Sequence, residues 1–170
     1  IRPQGGTGGR ASTQGICAPV RWCAVTGPSN EAQRRGVRQL LRIAPVADEL
    51  GSRFSAAGHD IALVGGSVRD AMLDRLGNDL DLATSAHPAQ TKRLLSGWAD
   101  SVWDVGAAFG TIGATKNGFH SEVTTYRADA YDPASRKPEV SYSESIYEDL
   151  VRRDFTINAM AVKLPSREFV

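Results

Sequence analysis

Cysteine is almost absent. Only Cys17 and Cys23 occur, separated by five residues, and no second Cys or His pair stands at a zinc-binding spacing. That excludes a zinc-built domain and leaves a reduced, cytoplasmic protein as the expectation. Long apolar runs are missing as well, so no membrane span is expected. No charged start followed by an apolar stretch marks a signal peptide. Charge of one sign is not in excess: the net charge is +1. Any nucleic-acid partner must therefore be met by a local patch rather than by the field of the whole chain. No acidic residue precedes Glu31, and no methionine precedes Met72. With Ile1 as the first residue, the sequence reads as a fragment or the product of a shifted start.

Residues 1–30 are rich in Gly, Pro, Ser and Thr and show no hydrophobic period. They are expected to be disordered or loosely packed. The glycines at 5–9 have neither a strand before them nor a Lys-Ser/Thr after them, which excludes a phosphate loop there. Residues 31–170 are expected to form one domain, and a hydrophobic content of 41% can supply its core.

From Asn30 a helical pattern places Val37, Leu40, Leu41 and Ala44 on one side, and Pro45 interrupts it. A second helix carries Val46, Leu50 and Phe54, with Gly58 suited to its C-terminal cap. Arg34, Arg35, Arg38 and Arg42 fall on the outer face, solvated or, alternatively, against an RNA backbone.

The most informative stretch is Leu63-Val64-Gly65-Gly66-Ser67-Val68-Arg69-Asp70. The apolar run 61–64 reads as a buried strand, and the two glycines permit a tight turn with close backbone approach. Val68, Met72 and Leu76 then give a helical period. Free amides at a helix start suit a phosphate, and Arg69 adds a guanidinium one turn in. Next, Asp79 and Asp81 alternate with Leu80 and Leu82. A strand there puts both carboxylates on one face and both leucines on the core face. Two such carboxylates repel unless a cation lies between them, and oxygen donors suit Mg²⁺. A phosphate turn beside them describes a site for a metal-borne nucleoside triphosphate.

Downstream, a helix starts near Pro88 and buries Leu94, Leu95 and Trp98, with His87 as a loop residue. Strands are expected over 102–105 and 109–114. Asn117-Gly118 marks a hairpin, and the returning strand covers 119–127. Its alternation sets His120, Glu122, Thr124 and Tyr126 on one face. Glu122 reads either as an ion-pair partner, with Arg127 or a neighbour, or as a third carboxylate acting as general base. The polar run 128–143 is expected to be a mobile loop. Order resumes at Ser145, with Leu150, Phe155, Ile157, Met160 and Val162 as core contacts and Arg152, Arg153 and Asp154 facing a cleft.

Taken together, the segments 65–70, 79–81, 122–127 and 152–160 resemble the class II tRNA nucleotidyltransferase and bacterial poly(A) polymerase family of the DNA polymerase β-like superfamily. The resemblance covers roughly residues 45–170 and implies an α+β catalytic head, a mixed sheet with helices packed on one side. It further implies template-independent addition of nucleotides from CTP or ATP to an RNA 3′ end, with Mg²⁺ as cofactor and tRNA as the foremost acceptor. By position, Gly65, Gly66, Arg69 and Arg153 would meet the triphosphate, and Asp79 and Asp81 would hold metal. Glu122 would be the third carboxylate. Asp70, Arg152, Asp154 and Asn158 would support the site. Such enzymes continue into neck, body and tail domains that choose the base and grip tRNA. The alternatives are a poly(A) polymerase, an enzyme of the same superfamily acting on another acceptor, and a weakly active nucleotide- or RNA-binding fragment.

Overall fold

The computed structural model describes residues 30–104, 106–130 and 139–170. The segment 1–30 expected to be disordered lies, but for Asn30, outside them. Helix α1 (Glu31–Arg42) starts with a reciprocal cap: the Asn30 side chain accepts from the Gln33 N–H, and the Gln33 side chain accepts from the Asn30 N–H. Pro45 does not end the helical region but opens α2 (Ala44–Ala56), where its missing N–H costs nothing. Gly58, at φ +78°, closes α2 with its N–H on the Ser55 carbonyl. The apolar face of α1 differs from the expectation. Gln33, Gly36, Gln39 and Leu40 are buried, whereas Leu41 is 54% exposed. Gly36 sits against Met72 and the Phe169 ring, so the contact stripe centres there and Leu41 points away from it.

Strand β1 (Ile61–Val64) runs into α3 (Gly65–Met72), which is shorter than the sequence period suggests; Leu76 is buried beyond its end. Strand β2 (Asp79–Thr84), α4 (Pro88–Ser96), β3 (Ser101–Trp103), β4 (Thr111–Lys116) and β5 (Phe119–Thr125) follow. Val105, at the end of the expected third strand, is outside the described residues. Phe109 does not enter a strand. It closes a short 3-10 turn, 66% exposed, and Gly110 at φ +82° redirects the chain into β4. Asn117 and Gly118 both have positive φ and join β4 to β5 in the expected hairpin.

The flanks of the expected mobile loop are instead paired strands, β6 (Arg127–Ala130) and β7 (Glu139–Tyr142); residues 131–138 lie outside the described residues. Helix α5 (Ile146–Val151) and β8 (Ala161–Leu164) complete the chain.

Six strands form one mixed sheet in the order β3-β4-β5-β2-β1-β8, with β2 and β5 parallel and the other neighbours antiparallel. Helices α1 to α4 bury one face through Leu40, Leu50, Phe54, Val68 and Leu95 against Ile61, Leu63, Leu80, Leu82 and Val123. The opposite face is not wholly bare: Ile146 and Leu150 of α5 cluster there with Ala62, Val64, Ala83, Tyr126 and Ala161. Among the described residues no helix is long and apolar enough to cross a membrane.

Two expected core residues are outside. Phe155 is 77% exposed and Ile157 54% exposed. Phe155 has φ +59°, and the chain turns there into a 3-10 turn at 156–158 rather than continuing an element that could bury alternate side chains.

Candidate active site

The period-two argument for β2 holds: Asp79 and Asp81 are exposed, and Leu80 and Leu82 are buried. Parallel pairing with β5 sets His120 beside Asp79 and Glu122 beside Asp81. Glu122 is exposed and pairs with no cation among the described residues, so the ion-pair reading with Arg127 does not hold. Alternation sends the two side chains to opposite faces, and Arg127 donates its backbone N–H to Asp149 instead.

The glycine turn is held against this face. Gly65, at φ +59°, donates its N–H to the Met160 carbonyl, which ties the start of α3 to the chain leading into β8. A Cβ at Gly65 would lie 3.2 Å from Arg153 Nη1, and one at Gly66 would lie 3.5 Å from both Arg69 Nη2 and Asp81 Oδ2. Backbone, two guanidiniums and a carboxylate thus converge on the glycine pair. Ser67 explains how β2 is held here. Its buried Oγ accepts the Asp81 N–H at 2.8 Å and reaches the Asp79 carbonyl at 3.5 Å.

The supporting residues divide. Arg69 donates Nε–H to Asp70 at 2.9 Å and Nη1–H to Asn158 Oδ1 at 3.1 Å, so α3 and the 156–158 turn share one guanidinium. Asp70 also accepts from Arg75. Arg152 and Arg153 each grip one oxygen of Asp149, which is fully buried. Asp154, expected to brace the site, is exposed and makes no hydrogen bond among the described residues. Bracing falls to Asp149, which the sequence reading did not single out. The available signal was its spacing, three and four residues before the two arginines on a helix. Ser67 carries no comparable signal.

Electrostatics mark the same place. Desolvation at the mouth of β2 pushes the Asp81 carboxyl above its ordinary value, and Asp79 adds to the push; Arg153, the Ser67 hydroxyl and Arg69 oppose it. Asp149 goes the other way: although burial raises it, Arg153 and Arg152 together hold it below the ordinary carboxylate value. Neither Asp79 nor Asp81 is engaged by an ion pair among the described residues. No three Asp, Glu, His or Cys side chains among those residues converge into a ready metal cage. Two carboxylates with open surroundings are the donor set that Mg²⁺ uses when substrate phosphates complete its shell.

Comparison with known proteins places this geometry. A family model described as the poly A polymerase head domain matches residues 61–170. CCA-adding enzymes of Streptococcus sanguinis and Streptococcus pyogenes are similar to the chain, at 46% identity over 111 residues and 42% over 112. Each match covers 65% of this chain, and the chain spans 27% of the length of those relatives. Among solved structures, the Bacillus stearothermophilus CCA-adding enzyme in complex with CTP is similar at TM-score 0.61 and 32% identity, covering 78% of this chain and 29% of that one. A tRNA nucleotidyltransferase complexed with a primer tRNA and an incoming ATP analog is similar at TM-score 0.52 and 31% identity, over 68% and 31% of the two chains. The matched family span opens at β1 and contains every residue of the site described above.

Proposed function

The chain belongs to the poly A polymerase head domain family, and from that premise we propose that it is the catalytic head of an Mg²⁺-dependent enzyme that adds nucleotides from CTP and ATP to the 3′ end of tRNA. The observation that carries this is the convergence at Gly66, where Arg69 Nη2 and Asp81 Oδ2 each lie 3.5 Å from the place a Cβ on the turn would occupy. The CCA-adding activity named for its relatives supports tRNA over poly(A) as the product class. A cytoplasmic location goes with that substrate.

Each residue then has a task. The amides after Gly65 receive phosphate oxygens at the start of α3. Arg69 and Arg153 offset the charge that develops as pyrophosphate leaves. Asp149 and Asn158 hold those two guanidiniums in place, because each accepts a hydrogen bond from one of them. Glu122 is placed to accept the proton of the attacking 3′-hydroxyl. Mg²⁺, when bound by Asp79 and Asp81, would supply Lewis-acid stabilisation of the entering and leaving oxygens. No covalent enzyme intermediate is required.

The test is calorimetric titration of the chain with CTP and ATP, with and without Mg²⁺. Asp79→Ala and Asp81→Ala should each abolish Mg²⁺-dependent binding. Because both side chains are exposed, each should shift stability by no more than about 0.5 kcal/mol. Unchanged Mg²⁺-dependent binding by either variant would overturn the reading.

A further inference from the structure

One large aromatic on the carboxylate face has no role in the scheme above. Trp103 pairs with Gly113, Gly113 pairs with Glu122, and Glu122 pairs with Asp81. The four residues form a single row across β3, β4, β5 and β2, and residues in such a row project to one face. The indole occupies the space above Gly113: a Cβ there would collide with its Cε2, Nε1 and Cζ2 atoms. The ring therefore reaches from the edge strand toward Glu122.

Packing does not account for it. Val102, the preceding residue, packs against the main apolar cluster, but Trp103 belongs to neither cluster. It is half-buried, and its indole N–H makes no hydrogen bond among the described residues. Trp98, by contrast, packs on the main cluster and donates to Glu49 at 2.8 Å.

Its place on the reaction axis says what it can do. This inference rests on the function proposed above. The glycine turn, Arg69 and Arg153 lie on the β1 side of Asp81 and take the triphosphate. In-line displacement requires the attacking hydroxyl to approach opposite the leaving pyrophosphate, which is the β5 side, at Glu122. The acceptor nucleotide then lies over β5 and β4, each about 4.8 Å further along the sheet. Its base reaches the indole.

We propose that Trp103 is the stacking platform for a base at the single-stranded 3′ end of the acceptor RNA. Stacking suits that position for a chemical reason. The terminal base is not the same at every step of an addition from both CTP and ATP, so a hydrogen-bond reader of one base edge would reject some of its own substrates. An aromatic face accepts any base. The glycine at 113 clears the space in which the ring lies beside Glu122.

The experiment uses the full chain and two RNA hairpins, one with a single-stranded 3′ tail and one blunt-ended. The tailed hairpin should bind about tenfold or more tighter. Trp103→Leu should remove that preference, Trp103→Phe should keep most of it, and both should retain Mg²⁺-dependent CTP binding. Independently, a chain carrying Trp22→Phe and Trp98→Phe leaves Trp103 as the sole indole, and its emission should be quenched by the tailed hairpin alone. A folded Trp103→Leu variant with an unchanged tail preference would overturn the proposal. So would the absence of tail-specific quenching, which decides the matter if the leucine variant does not fold. Loss of Mg²⁺-dependent CTP binding by the native chain would instead strike the proposed function, so the two failures are distinguishable.

Discussion

At the scale of single residues, Asp149 carries the most connected ionic contacts. One buried carboxylate holds two arginines and a backbone N–H across α5, β6 and the 152–154 turn. Asp149→Asn removes the charge and leaves Arg152 and Arg153 without a counterion. We expect a loss of about 3 kcal/mol, at the low end for a broken buried pair, because each arginine side chain is 23% exposed and still reaches water. Chemical denaturation measures it, and a loss under about 1 kcal/mol would refute the role. The pH dependence has a definite sign. The folded-state pKa of Asp149 is depressed, so its contribution is complete above the ordinary carboxylate pKa and is lost as pH falls through the lower folded value. Native stability should therefore decline below about pH 4, with a shallower decline in Asp149→Asn. Among the described residues Glu122 has no such partner, and it makes a different prediction. Glu122→Gln should slow transfer to an RNA 3′ end by about 10²-fold in a full-length enzyme, with triphosphate binding and melting temperature unchanged. A shifted melt with an unchanged rate would return Glu122 to a structural role.

At the scale of elements, docking matters more than propensity. Helix α2 lies on β8 through Gly51, where a Cβ would fall 2.8 Å from both Leu164 Cβ and the Pro165 backbone nitrogen. Backbone cannot move aside as a flexible side-chain tip can. Gly51→Ala should cost about 1–3 kcal/mol from overpacking, despite the better helix propensity of alanine. A more stable alanine variant in urea unfolding would show that the contact is looser than this. The basic residues of α1 were legible only as a charged outer face. In the structure Arg35 donates to the Met72 carbonyl and Arg42 to the Leu76 carbonyl, so part of that face caps the end of α3 and the loop beyond it. Pairing of β6 with β7 was hidden for a related reason. A polar sequence with little alternation gives no periodic signal, and the ladder there is made by backbone hydrogen bonds that any side chain permits.

At the scale of the molecule, the function proposed for the described site assigns its residues to phosphates and metal and none of them to base edges. On that proposal Gly66, Arg69, Arg153 and the two aspartates would meet the part of a nucleotide that is the same in all four. The chain should therefore bind ATP, CTP, GTP and UTP with Mg²⁺ at affinities within about threefold, since selectivity requires groups that meet what differs between substrates. Calorimetry with the four triphosphates tests it. A clear preference for CTP and ATP would show that base selection resides in the head itself.

The division between sequence and tertiary structure follows from the range of the interactions. Strand β1, the glycine turn, the alternation of Asp79 and Asp81 and the Asn117-Gly118 hairpin were legible because each depends on neighbours a few residues apart: period, φ and turn chemistry. The convergence of these parts was not. Glu122 lies beside Asp81 because β5 pairs in parallel with β2, and Gly65 is fixed by the Met160 carbonyl. Phe155 and Ile157 look like core residues by composition, but a positive φ at Phe155 turns them outward. Trp103 is an ordinary strand tryptophan until the register lays it over Gly113 beside a carboxylate. Local chemistry selected the elements; strand order and register, which join residues far apart in the chain, made them a site.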